Sequence, residues 1–252
     1  MPYAVMQKDL SPLPLELLKR AFKSVPGLTP LDAHALRNDA FGILVKNFPM
    51  DSAVAMQGAL RREGVETEVV DEKQLPALPQ TKFVNRLSCS EAGLEIFDPI
   101  GRSFVIEWGH VMFVTAGAVT TNDFVRRVVE RPVTRYDSYG NAYVESQTDV
   151  SHKEERGVHL LMEIVLTRGV MRYSVAAEKF NFSYLGDRMT RNVSQNFQTL
   201  ARDLAGFAPH AVLSLGMTSL VNEGTEIVRY PSKNAFYEEI IWSIWRQRQT
   251  QN

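Results

Sequence analysis

A proline-containing segment divides the chain into two stretches with different patterns of apolar residues. The segment QLPALPQ, residues 74–80, holds two prolines and little patterned hydrophobicity, which is typical of a connection between domains. With 252 residues, the chain also exceeds the usual size of one compact domain. We therefore predict an α+β protein with a domain at 1–73, a linker at 74–81 and a second domain at 82–252.

The first stretch alternates strand-like runs with helical spacing. Two helices are indicated, one from Leu15 to Phe22 and one that begins near Asp51 or Ser52 and ends near Gly64, where glycine suits a helix C-terminus. Strands are predicted at 3–6, 31–36, 41–45 and 65–70. The resulting order, βαββαβ, resembles the ferredoxin-like α/β sandwich. The resemblance is topological and implies no iron–sulfur cluster, because the chain has one cysteine.

The second stretch predicts seven antiparallel strands followed by an amphipathic helix at 191–205. The predicted strands are 82–88, 93–97, 102–108, 111–119, 158–166, 170–176 and 180–185. Together with the segment GRSFVIEWGHVMFVTAG, this pattern resembles the pleckstrin-homology-like fold. The resemblance implies a β barrel capped by the helix, with an insertion at 122–157 and a helical extension at 206–252.

Within the insertion, residues 122–129 could form a short helix, since Phe124, Val125, Val128 and Val129 are apolar. Residues 136–157 are polar and indicate either an exposed, mobile loop or a hairpin around Gly140-Asn141. In the extension, a strand pair is expected at 211–215 and 218–221, and a terminal helix at 234–248.

Charge and composition argue against several functional classes. Lys and Arg number 28 against 29 Asp and Glu, for a net charge of −1, whereas nucleic-acid binders carry a basic excess. No export signal and no apolar run long enough for a membrane span is present. We expect a soluble, cytoplasmic protein that binds neither nucleic acid nor membrane.

The sequence identifies no catalytic residue, no cofactor site and no metal site. Nucleotide-binding and hydrolase motifs are absent, and Cys89 has no activating neighbour in sequence. The cluster His152-Lys153-Glu154-Glu155 with His159 could be a solvated loop, a partner contact or a metal site. The separate residues His34, His110 and His210 are interpreted as structural.

The terminal helix offers the clearest candidate binding surface. Its apolar stripe holds large side chains of the kind that interface cores favour. These residues are Phe236, Tyr237, Ile240, Ile241, Trp242, Ile244 and Trp245. Either the stripe packs on its own chain, between the two domains, or it binds a protein partner or a second copy.

These observations favour a non-enzymatic protein-interaction or scaffold protein of bacterial type. The alternative is a small-ligand sensor that uses the ferredoxin-like domain, by analogy with domains of that kind. An enzyme of unrecognised type is a third possibility.

Overall fold

The computed structural model describes residues 1–251 except 12, 137, 140, 168–170 and 223–225. The chain forms two compact units, one of Met1–Val119 with His159–Asn252 and the other of Thr120–Val158. The fold is mixed α+β with several sheets. None of the sheets closes into a barrel among the described strands.

The N-terminal part of the large unit is a three-stranded antiparallel sheet with helices on one face. Its elements, in chain order, are β1 (Tyr3–Gln7), α1 (Leu15–Phe22), α2 (Pro30–Asp39), β2 (Ile43–Phe48), α3 (Met50–Arg62) and β3 (Thr67–Asp71). The strand order is β2-β1-β3, and β1 is antiparallel to both neighbours. The helix-covered core contains Val5, Phe22 and Leu60.

The predicted strand at 31–36 is wrong, because this segment lies in α2. The sequence TPLD starts the helix with a capping box, in which the Asp32 amide donates to the Thr29 hydroxyl at 3.3 Å. The Thr29 amide donates in return to the Asp32 carboxylate at 2.7 Å. Pro30 occupies the first turn, where its missing N–H costs nothing. The described order is therefore βααβαβ, with three strands where four were predicted.

The second helix begins one residue earlier than predicted and uses no side-chain cap. Helix α3 starts at Met50 after Pro49, and neither Asp51 nor Ser52 caps it. Gly64 ends it as expected, with φ +81° and its amide donating to the Arg61 carbonyl at 3.0 Å.

After β3 the chain forms two further sheets. The strands are β4 (Gln80–Phe83), β5 (Leu87–Ser90), β6 (Gly93–Phe97), β7 (Ser103–Ile106), β8 (Val111–Tyr136), β9 (Ala142–Leu166), β10 (Met171–Ala176), β11 (Val212–Leu213) and β12 (Arg229–Tyr230). A six-stranded sheet has the order β11-β8-β9-β10-β4, with β12 also paired to β8, and a small sheet has the order β5-β6-β7. Helices α4 (Val193–Phe207), α5 (Leu215–Val221) and α6 (Lys233–Gln251) follow.

The predicted barrel is wrong for the described strands, because the expected strand at 82–88 is divided between two sheets. Strand β4 pairs in parallel with β10, whereas β5 pairs antiparallel with β6.

Two other predicted strands are also wrong. Residues 183–188 form a 3₁₀ helix instead of a strand, and 218–221 lie in α5.

The predicted short helix at 122–129 is also wrong, since β8 runs without interruption to Tyr136. Most of the predicted loop at 136–157 belongs to β9, which begins at Ala142. Of the two alternatives, the hairpin agrees with these strands; Gly140 itself lies outside the described residues. The predicted helices at 191–205 and 234–248 are confirmed as α4 and α6, with slightly different bounds.

Helix α4 covers a core formed with both sheets of this region. Its Phe197 and Leu200 pack in one cluster with Leu94 of the small sheet and Ile164 of the large sheet. The Asn192 side chain caps the helix by accepting from the Ser194 amide at 2.9 Å. The second core is thus independent of the helices that cover the N-terminal sheet.

Candidate functional site

The apolar stripe of α6 packs on two sheets of its own chain. On the large sheet, Phe236 joins Val119 and Leu161, while Ile240 and Ile244 join Phe113 and Val165. On the N-terminal sheet, the tryptophan indole nitrogens fix the helix. Trp242 Nε1 donates to the Gln7 carbonyl and Trp245 Nε1 to Glu68, both at 2.8 Å.

All seven predicted partner residues therefore have contacts within the chain. Phe236, Ile240, Ile244 and Trp245 are buried, and Tyr237, Ile241 and Trp242 are partly buried against the same clusters. Strand β1 is consequently buried on both faces, with Val5 towards α1–α3 and Ala4 and Met6 towards α6. The binding of a partner or a second copy to this stripe stays a prediction.

Between α6 and the large sheet lies a buried glutamate, Glu239. The Tyr230 hydroxyl donates to its Oε2 at 2.5 Å, and the Thr115 hydroxyl donates to the same atom at 3.4 Å. The Leu215 amide, at the start of α5, donates to Oε1 at 3.3 Å. Burial raises the pKa of Glu239 above its usual value, although these hydrogen bonds oppose the shift. The carboxyl has no exposed surface, so it ties α5, α6 and the sheet together out of reach of a substrate.

A close backbone approach completes this polar cluster. Gly216 lies where an added Cβ would stand 2.0 Å from the Ala116 carbonyl oxygen and 2.8 Å from the Tyr230 hydroxyl. Only glycine leaves the space for α5 to start against β8.

A second buried charge, Glu163 on β9, forms an ion pair with Arg172 on β10. Arg172 Nη1 lies 2.6 Å from Glu163 Oε1, and both side chains are almost fully buried. Arg172 also donates through Nε to the Pro79 carbonyl at 3.0 Å, and its guanidinium lies 4.5 Å from the Tyr237 ring centroid. Burial raises the pKa of Glu163 to about 7, against the opposing charge of Arg172. The pair thereby joins the segment before β4, the sheet and α6.

The sequence offered a signal for both glutamates. Glu163 stands in the apolar run HLLMEIVL, and Glu239 follows Phe236 by three residues, which places it on the buried face of a helix. A charged residue at a core position indicates a paired or hydrogen-bonded group.

The candidate histidines and cysteine occupy separate places. His210 Nε2 lies 2.9 Å from the Trp108 carbonyl, and His110 Nδ1 lies 3.4 Å from the Thr167 hydroxyl. His159 pairs with Glu178 at 3.6 Å, while the side chains of 152–155 lie outside the described residues. In the described part of the chain, no three His, Cys, Asp or Glu side chains are placed to hold a metal ion. Burial raises the pKa of the Cys89 thiol to about 12, which keeps it protonated and unreactive.

A groove in the N-terminal part, here called the N-terminal groove, lies between α2, β2 and the start of α6. Its volume is about 520 Å³, and its apolar lining includes Phe22, Leu36 and Leu44. At its rim, Lys46 Nζ lies 2.9 Å from the Glu238 carboxylate. The volume is in the range of small-molecule sites.

The small unit is a two-stranded ribbon made of residues 120–136 of β8 and 142–158 of β9. The connection between the strands is too short for a parallel crossover, so they are antiparallel. Two ion pairs join them, Arg131 with Asp149 at 3.7 Å and Arg135 with Glu145 at 2.6 Å. Most of the small unit's described side chains are exposed, including the apolar residues Val144 and Val158 of the ribbon and Tyr139 of the connection between its strands.

Comparisons with models of protein families, with curated proteins and with solved structures found no match to this chain. None of the helices in the described residues has both the length and the apolar character needed to cross a membrane.

Proposed function

We propose that this chain is a non-enzymatic protein-interaction or scaffold protein whose binding element is the ribbon. The observation that carries the proposal is the outer edge of β9. Strand β10 pairs with β9 at residues 161–165, and no strand among the described residues pairs with the outer edge from 142 to 158. Such an edge presents unpaired N–H and C=O groups to another extended chain.

The small size of the ribbon supports this use. A two-stranded ribbon is marginally stable in water, and a third strand or a packed face is needed for independent stability. No buried apolar cluster forms within the ribbon among its described residues. A segment added along β9 would supply the third strand.

The two edges of the ribbon are unequal. Strand β8 contains Pro132, which has no N–H to donate and is tolerated where its nitrogen faces away from a paired strand. Residues 142–158 of β9 contain no proline, and their first glycine is Gly157. We therefore assign strand addition to β9.

The fold resemblances belong to the same proposal. A pleckstrin-homology-like fold for about residues 82–205 is supported by two sheets and a helix, α4, over their common core, although the sheets do not close into a barrel among the described strands. A ferredoxin-like fold for residues 1–73 is supported by an antiparallel sheet with helices α1–α3 on one face, although α2 stands where that fold has a strand.

Matched proline variants test the ribbon. Partners are captured with the full chain and with a chain in which residues 122–157 are replaced by Asn-Gly, and each candidate is then purified and titrated directly. Successive amides of a strand point to opposite sides, so either Gln147→Pro or Thr148→Pro removes an outward N–H. We expect that the variant in which the lost N–H faces away from β8 keeps the two strands paired and loses binding to the partner.

The same titration defines what would contradict the proposal. Binding that survives the replacement of 122–157 places the interaction elsewhere, with the α6 stripe as the first alternative. Concentration-dependent dimerisation that is lost with the ribbon would instead identify a second copy as the partner.

A second candidate function is a small-ligand sensor, favoured by the size and apolar lining of the N-terminal groove. A ligand that binds the folded state raises the midpoint of thermal unfolding in a saturable way. We expect Ala35→Trp, which fills the groove, to abolish such a shift, whereas Ala92→Trp in an exposed turn keeps it. A shift that persists in Ala35→Trp rules out this groove.

A further inference from the structure

A second groove, here called the edge groove, lies beside β4 at the end of the large sheet. Its volume is about 440 Å³, within the range of small-molecule sites. Its apolar lining comes from Phe83 and Val84 of the β4 end, Pro99 of the β6–β7 turn and Ala176 of β10. The groove is distinct from both the ribbon and the N-terminal groove.

One wall of the edge groove is an aromatic side chain that the chain leaves uncovered. Phe83 is 85% exposed although it belongs to a strand of the large sheet. Ile100, which follows Pro99 in the turn, is 74% exposed. Exposed apolar groups beside a cavity indicate a binding surface when they are clustered.

The polar groups of the edge groove carry one charge. Among the described residues, Lys179 is the charged residue of the lining, and Asn85 and Ser174 are its neutral polar residues. Lys179 is exposed, so its ammonium is available to an anion in solution.

The buried carboxylate behind this groove does not cancel that charge. Ser174 stands directly opposite Glu163 in the β9–β10 ladder, and Glu163 is paired with Arg172 at 2.6 Å. The charge of Glu163 is therefore paired with that of Arg172 within the sheet. Lys179 supplies the net charge that a ligand in the groove meets.

We propose that the edge groove binds small amphipathic carboxylates. The aliphatic or aromatic part of the ligand packs against Phe83, Val84 and Ala176, and the carboxylate accepts hydrogen bonds from Lys179 and Asn85. One cation matches a monoanion, whereas a multiply charged phosphate group is held by clustered basic residues. This site is independent of the interaction function proposed for the ribbon.

Calorimetric titration of the full chain with octanoate and with octan-1-ol tests the proposal. Both probes have the same chain length, and only octanoate carries a charge. We expect saturable binding of octanoate and binding of octan-1-ol that is about five- to tenfold weaker, the effect of losing one charge-assisted contact. In Lys179→Met, octanoate binding falls to the level of the alcohol, while binding of the alcohol is unchanged.

Two lysine variants serve as controls. Lys82→Met removes an exposed charge from β4 that does not line the groove, and it keeps the preference for octanoate. Lys46→Met removes the cation at the N-terminal groove and also keeps it. Equal octanoate affinity in Lys179→Met and the unchanged protein, loss in Lys46→Met alone, or binding that does not saturate would overturn the proposal. Circular dichroism of each variant confirms that the fold is kept.

Discussion

The Glu163–Arg172 pair is a buried ion pair whose two members depend on each other. If Arg172 is replaced, Glu163 is left in the protein interior without its cation, and such a loss costs about 3–5 kcal/mol. We expect Arg172→Met to lower the free energy of unfolding by this amount in urea titration. Arg102→Met removes the cation of an exposed pair with Asp98 and should cost at most about 1 kcal/mol. Similar small losses in both variants would contradict the proposed dependence.

Glu239 makes stability depend on pH. Because burial raises its pKa in the folded state, the folded chain holds this proton to higher pH than the unfolded chain does. Stability from this group is present below the unfolded pKa and is lost as the pH rises through the folded pKa. Glu163, whose pKa is raised to about 7, acts in the same direction.

We therefore expect Glu239→Gln to reduce the decrease in unfolding free energy that follows a rise in pH above the unfolded pKa of a glutamate, while the part due to Glu163 remains. Glutamine keeps the shape of the side chain and cannot ionise. The control Glu91→Gln changes an exposed turn residue and should keep the full decrease. If the pH dependence of the unfolding free energy is unchanged in Glu239→Gln, the pKa of this carboxyl does not differ between the folded and the unfolded chain.

At the scale of elements, the first 73 residues show where periodicity misleads. The run LDAHAL is short and apolar enough to suggest a strand, but the capping box of Thr29 and Asp32 specifies a helix. That motif was visible in the sequence as TPLD. In the ribbon, Val125, Val129 and Val133 recur every four residues, a spacing that suits one face of a helix, yet the segment lies in β8.

The packing of α6 on the N-terminal sheet can be measured at Gly42. This residue has φ +84°, and an added Cβ would lie 2.4 Å from the Trp242 ring. Gly27 has the same φ, with nothing within 4 Å of its Cβ position. Both alanine variants carry the backbone strain, of order 1 kcal/mol, and Gly42→Ala alone carries the clash.

We expect Gly42→Ala to lower the free energy of unfolding by at least about 1 kcal/mol more than Gly27→Ala, as overpacking in a core does. Urea titration followed by tryptophan fluorescence measures the difference and also reports on Trp242. Equal losses in the two variants would mean that the Trp242 ring of α6 does not pack closely on Gly42.

For the whole molecule, the sequence predicted the α+β class and the terminal helix but not how that helix is used. Phe236, Ile240 and Ile244 recur at intervals of four residues, which identifies a stripe on a helix. The surfaces that cover the stripe come from β1, β8 and β9, about seventy or more residues away in sequence, and no local pattern encodes such a pairing. The edge groove was missed for the same reason, since its lining converges from residues 83 to 179.

The large unit should not need the ribbon in order to fold. The residues that form its described core clusters all lie within 1–119 and 159–252. We expect replacement of residues 122–157 by Asn-Gly to leave the midpoint of thermal unfolding within a few degrees of the full chain, since surface changes away from a core cost little. Loss of cooperative unfolding in circular dichroism would contradict this separation.

The central claim, that the outer edge of β9 binds a partner, is tested most directly by amide hydrogen exchange with and without the purified partner. An exposed edge exchanges quickly, and strand addition protects alternate amides along it. We predict slowed exchange at 142–158 in the complex, with the exchange of α6 unchanged. Exchange at 142–158 that is the same in the free and bound chain, together with new protection elsewhere, would contradict the claim.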